Sequence, residues 1–204
     1  MVGIWYPSQA AAKPVSLGST TMTVAFKAPL NGKAMPMVVM SHGTGGSFLG
    51  HFDTAIALAD AGFVVVAMNH TGDNYADQSR SVDIMDRPRQ VSRVIDHMLS
   101  TWQGHAAVDA ERIGMFGFSA GGFTTLASIG GIADFAKIGP VCRQYPEDFA
   151  WNAGHCDFLS PCSDALASLA PAICTSSPGF DRAAFHVDFD SVVVKFFKNT
   201  LGNH

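Results

Sequence analysis

A serine with small neighbours stands in Gly117-Phe118-Ser119-Ala120-Gly121, and Gly122 follows it. This G-x-S-x-G pattern comes directly after an apolar strand signal, Arg112 to Gly117, and opens a helical one, Ser119 to Gly130. A serine hydroxyl is a weak nucleophile until a base takes its proton and a sharp strand-to-helix bend holds it clear of the backbone. Such a bend is crowded, so its flanks must be small, and here they are. The helix N-terminus just beyond the bend offers oriented N–H groups to a developing oxyanion. The spacing therefore predicts acyl transfer with Ser119 as nucleophile, against the plainer alternative of an ordinary glycine-rich turn.

A second glycine-rich segment, Ser41-His42-Gly43-Thr44-Gly45-Gly46, follows another short apolar run. In a fold that carries the serine bend, the loop after this strand supplies the second oxyanion donor. The backbone N–H groups of Thr44 and Ala120 are assigned as the oxyanion hole. A phosphate-binding loop is excluded, because G-x-x-x-x-G-K-[ST] is absent and no Lys follows. His42 is read as a brace for the loop. The base is expected late in the chain. Two histidines compete. His155 has a small approach in Asn152-Ala153-Gly154-His155 and is preferred; His186 lies among Ala184, Phe185 and Val187 and is read as a partly buried surface residue. His51, His97 and His105 are placed on or beside surface helices. His70 ends a strand and could line the site without acting as base; His204 is terminal.

Several elements must position these groups. Val2 to Tyr6 and Met37 to Met40 read as strands, and Phe63 to Met68 as a fully buried one. His51 to Ala61 has helical spacing and stops at Gly62. Asp86 is expected to cap a helix whose Val91, Val94, Ile95, Met98, Leu99 and Trp102 share one face. Phe189, Val192, Val193, Phe196, Phe197 and Leu201 predict a strongly amphipathic last helix. Strand and helix alternate, which calls for a mostly parallel sheet with helices on both faces. No linker or repeat divides residues 1–204, so a single α/β domain is expected.

Composition supports a packed enzyme-sized domain: 48% of residues are apolar and 15% charged, with a net charge of −4. That balance gives no electrostatic reason for a nucleic-acid partner. The densest basic stretch, Arg87 to Arg93, is read as a solvated helix face. No apolar run reaches the ~20 residues of a membrane span. Cys142, Cys156, Cys162 and Cys174 match no zinc ligand set. Their even number and clustering suggest disulfides and an oxidising compartment, with Cys162–Cys174 the preferred pair against free buried thiols. The chain opens directly on a strand, so no export signal is expected within it, and a longer precursor remains open.

Together these blocks resemble the α/β-hydrolase superfamily, and more closely its predicted dienelactone hydrolase branch, related to platelet-activating-factor acetylhydrolases. The residues that carry the resemblance are Trp5-Tyr6-Pro7, the segment 41–46, Asp86-Arg87-Pro88-Arg89, the segment 117–122, Ala153-Gly154-His155 with Phe158-Leu159, and Gly179-Phe180-Asp181-Arg182-Ala183-Ala184-Phe185-His186. The resemblance implies a metal-free, cofactor-free Ser-His-Asp esterase, often exported, acting on a small ester or lactone. Ser119 would be nucleophile, His155 base, and the Thr44 and Ala120 amides the oxyanion hole. One departure stands out. The family order is Ser, Asp, His, yet only 36 positions separate Ser119 from His155. Asp134, Glu147 and Asp148 are the acidic residues between them, and Asp148 is the first candidate for the missing acid. The resemblance jumps at Trp151-Asn152, so the fold is expected to be shortened there. A catalytically weakened relative acting as a binding module is the alternative reading.

Overall fold

The two strands at the centre of the molecule are its most apolar segments. β4 (Met35–Ser41) is buried at all but one residue and β5 (Val64–Met68) at every residue. Unbroken apolar runs of this kind suit a parallel sheet covered on both faces. The computed structural model describes residues 1–132 and 154–202. In it β1 (Val2–Trp5), β5, β4 and β6 (Val108–Gly117) form one sheet in the order β1-β5-β4-β6. β4 is parallel to both β5 and β6, while β1 runs antiparallel to β5. A small hairpin, β2 (Lys13–Leu17) with β3 (Thr20–Val24), stands apart from the sheet.

The pleat sends alternate side chains to opposite layers. Met37, Val39, Val64 and Val66 pack with Val91 and Met98 of α2 (Arg87–Ser100) and with Trp102. Val38, Met40, Val65 and Ala67 pack with Ala55 and Leu58 of α1 (Phe52–Asp60) and with Phe197 of α6 (Arg182–Leu201). Helices thus cover both faces, as the alternating pattern requires. Burying each such Val or Leu contributes about 1.5–3 kcal/mol. α3 (Ala120–Ser128) follows β6 directly, and α4 (Asp164–Leu169) and α5 (Pro171–Cys174) lie before α6.

Three expectations need correction. Asp86 makes no side-chain cap on α2; its carboxylate pairs with Arg80 instead. The last helix is not cleanly amphipathic. It is capped by Asp181, which accepts from Ala184 N–H at 3.0 Å, and it buries Phe197 but leaves Val192 and Phe196 exposed. Arg87 is not on a solvated face: only 2% of it is exposed. A disulfide joins Cys162 to Cys174, and Cys156 is a free thiol. Cys142, the acid candidates Asp134, Glu147 and Asp148, the Trp151-Asn152 join and terminal His204 lie outside the described residues. Among the described residues, no helix is long and apolar enough to cross a membrane.

Candidate active site

β4 and β6 pair in register, with Ser41 opposite Gly117. Phe118 N–H extends the ladder by donating to Ser41 C=O at 3.1 Å. The C-terminal ends of the two strands therefore coincide, and the two glycine-rich loops leave the sheet side by side, where open α/β sheets hold their ligands. Ser119 takes φ 55° and ψ −119°. A left-handed φ costs a non-glycine residue about 1–3 kcal/mol and persists only where its surroundings impose it. Here Gly121 N–H donates to Phe118 C=O at 2.7 Å and Gly122 N–H to Ser119 C=O at 2.9 Å. The small flanks have steric causes. A Cβ on Gly117 would collide with the Gly121 carbonyl, and one on Gly121 with the Ser41 carbonyl. Ser119 is exposed.

The loop after β4 lies against this bend: a Cβ on Gly43 would sit 3.2 Å from Ser119 Cβ. Among the described residues, the Thr44 and Ala120 backbone N–H groups have no hydrogen-bond partner, and Thr44 is exposed. A buried polar cluster fixes the loop from behind. Arg87 Nη1 donates to His42 C=O at 2.6 Å and Nη2 to Gly43 C=O at 3.2 Å. The same Nη2 pairs with Asp73 Oδ2 at 2.7 Å, while Asp73 Oδ1 accepts from Gly45 N–H at 2.8 Å. His42 Nε2 accepts from His70 N–H, so Nδ1 carries the proton and donates to Gly43 C=O. Burial pushes His42 below its ordinary pKa, and burial with the nearby Arg87 charge pushes His70 down to about 3. Both rings are therefore neutral at pH 7, and His42 is a brace. His70 does not line the site. It is fully buried between Ser41 Oγ at 2.8 Å and Gln90 Oε1 at 3.0 Å.

His155 is exposed on a single helical turn, His155–Phe158, and its ring lies on Phe118 with centroids 4.7 Å apart. The preferred base thus sits beside the residue that precedes the serine. No hydrogen bond joins it to Ser119 among the described residues; such bonds commonly tighten only with substrate bound. His186 is placed elsewhere. Only 3% exposed, it is a buried residue rather than a surface one, with Nε2 donating to Asp157 C=O at 2.8 Å and Nδ1 2.6 Å from Asp53 Oδ2. His51 is also buried rather than on the surface. Its ring packs 5.1 Å from both Phe116 and Phe118, and burial pushes its pKa down to about 4. His97 and His105 are exposed, as expected. Phe118 borders His155, whereas Phe48 packs on Trp5 with the core. The arrangement holds an exposed hydroxyl, two open amides and an imidazole at one end of the sheet, the parts of an acyl-transfer site.

Residues 23–139 match the model of the dienelactone hydrolase family. No curated protein matches the chain. A ferulic acid esterase from Streptomyces cinnamoneus superposes with a TM-score of 0.72 at 17% identity, covering 98% of this chain and 82% of its own. That likeness shows the α/β-hydrolase fold. A structure described as DcsB in complex with its substrate analogue reaches a TM-score of 0.42 at 16% identity, over 59% of this chain and 45% of its own.

Proposed function

Because the chain belongs to the dienelactone hydrolase family, we propose that it is a serine hydrolase that cleaves carboxylic esters or lactones through an acyl-enzyme on Ser119. The observation that carries this reading is the exposed serine in a left-handed conformation beside two open backbone amides. His155 takes the Ser119 proton as Oγ attacks the carbonyl carbon. The carbonyl oxygen becomes an oxyanion and accepts hydrogen bonds from Thr44 and Ala120 N–H, each worth about 2.7–4 kcal/mol in such sites. Collapse expels the alcohol, which takes the proton from His155. Water then attacks the acyl-enzyme, with His155 again as base, and frees Ser119.

The acid that would orient His155 is left unassigned, with Asp148 as the first candidate; without any acid, turnover falls by ~10⁴. The binding-module alternative draws support from one observation: among the described residues His155 makes no hydrogen bond with a carboxylate, its ring resting on Phe118. The proposal extends to kinship with the platelet-activating-factor acetylhydrolases and to export, which the Cys162–Cys174 disulfide fits. A panel of p-nitrophenyl esters of increasing acyl length, together with γ-lactones, tests the reading. Turnover of at least one substrate at more than a hundred times the buffer rate is expected. A folded protein that turns over none of them contradicts the hydrolase and favours the binding module.

A further inference from the structure

The turn that carries His155 is held partly by its own Asp157 and partly by groups far along the chain. Asp157, buried within the turn, accepts from Gly154 N–H at 2.6 Å and from the Ser176 hydroxyl. Arg182 donates to three carbonyls around it, those of Cys156, Leu159 and Ile173. One pair reaches the C-terminal half of the turn and a residue just beyond it from other elements. His186 of α6 donates to Asp157 C=O, while Asp53 of α1 accepts from Ser160 Oγ at 2.5 Å. Their own side chains meet at 2.6 Å. Ser160 N–H in addition donates to Gly50 C=O, just before α1.

We propose that the Asp53–His186 ion pair is a positioning device that fixes the His155 turn against the serine bend. Neither residue is catalytic; both act through the backbone that presents the imidazole. The inference rests on the Ser119–His155 reading for its effect on rate, but not for its effect on the turn itself.

The groups that face the pair are Asp190 on α6, His51 before α1, Asp157 on the turn and Arg182. Burial alone would lower the His186 pKa, but the Asp53 contact outweighs it and holds His186 above its ordinary value. Burial would raise Asp53, but donors from His186, Ser160 and Thr54 hold it below its ordinary value. The clamp is therefore complete between those two titrations. It weakens as pH rises through the raised His186 pKa, and as pH falls through the lowered Asp53 pKa. Burial pushes Asp190 up to about 6, and its titration falls inside that window.

The test compares wild type with His186→Gln, which can keep the hydrogen bond to Asp157 C=O but not the charge, and with Asp53→Asn. Asp190→Asn separates the titration near pH 6 from that of His186. Amide hydrogen-exchange protection factors across 155–160 are expected to drop at least tenfold in His186→Gln and Asp53→Asn, with β4 and β5 unchanged. In wild type and Asp190→Asn they should fall as pH rises above the ordinary His value, and His186→Gln should lack that dependence. On any ester the protein hydrolyses, kcat is expected to fall about 10- to 100-fold with KM little changed, the cost of a misplaced catalytic group. Unchanged protection of 155–160 in both variants overturns the proposal, as does the same alkaline decline persisting in His186→Gln. Absent turnover in wild type would contradict the Ser119 reading alone, and the exchange measurement would still decide this one.

Discussion

Replacing Ser119 with alanine lowers kcat by about 10⁶-fold on any ester the wild type hydrolyses, because loss of the nucleophile forfeits the acyl-enzyme path as a whole. The variant should fold normally. Ser119 is exposed, and among the described residues the bonds that fix the bend come from backbone N–H groups and the Thr124 and Thr125 hydroxyls rather than from the Ser119 side chain. Ser119→Gly refines the expectation. Glycine adopts φ 55° without steric cost, so this variant is equally inactive yet gains about 1 kcal/mol or more of stability by shedding the left-handed strain. Steady-state kinetics and urea unfolding on the same preparations measure both quantities. An alanine variant within tenfold of wild-type kcat would contradict the assigned nucleophile. A glycine variant less stable than wild type would contradict the imposed backbone geometry.

The second large effect is on stability. Arg87→Met should destabilise the protein by about 3–5 kcal/mol, the cost of breaking a buried ion pair from one side. The Arg87 and Asp73 side chains are 2% and 4% exposed. Methionine fills similar space but leaves the Asp73 carboxylate facing its lost cation, takes the Arg87 donor from the His42 carbonyl, and removes one of the donors to the Gly43 carbonyl. In a chain of this size the loss lowers Tm by roughly 6–20 °C. Activity should fall as well, since this cluster sets the loop that presents the Thr44 amide. Double replacement with Asp73→Asn should recover part of the loss, because the orphaned charge goes with it. An Arg87→Met protein that unfolds at the wild-type temperature would show that the cluster contributes nothing net.

The sequence made the bend legible because its information is local. Gly117 and Gly121 are small where backbone carbonyls approach, and Ser119 falls between a run of strand residues and a helix. β4 and β5 were equally readable, since a strand buried on both faces has no polar alternation to hide. Arg87 was misread for the opposite reason. It opens a helix in a stretch rich in charge, and nothing local reveals that its partners are a carboxylate at position 73 and the carbonyls of residues 42 and 43. His186 and Asp53 meet across 133 positions, so apolar neighbours alone suggested a surface histidine. His51 is expected on or beside a surface helix, whereas it is buried and packs against Phe118. The one available signal is chemical: an acid next to an arginine recurs in Asp181-Arg182 and Asp86-Arg87, and a histidine, His186, follows the first pair. The β2–β3 hairpin carries a legible signal, Val15 and Leu17 then Met22 and Val24 alternating with polar residues about Gly18, but its strands are short and half exposed.

The central claim is that the Ser119 hydroxyl is activated and open to an acyl-like ligand in the folded protein. Incubation with a fluorophosphonate, followed by peptide mass spectrometry, tests it without knowledge of the substrate. One phosphonyl adduct on Ser119 is expected in the native protein, and none after unfolding in urea. An unmodified Ser119 in a natively folded sample, or an adduct confined to another residue, would contradict the account.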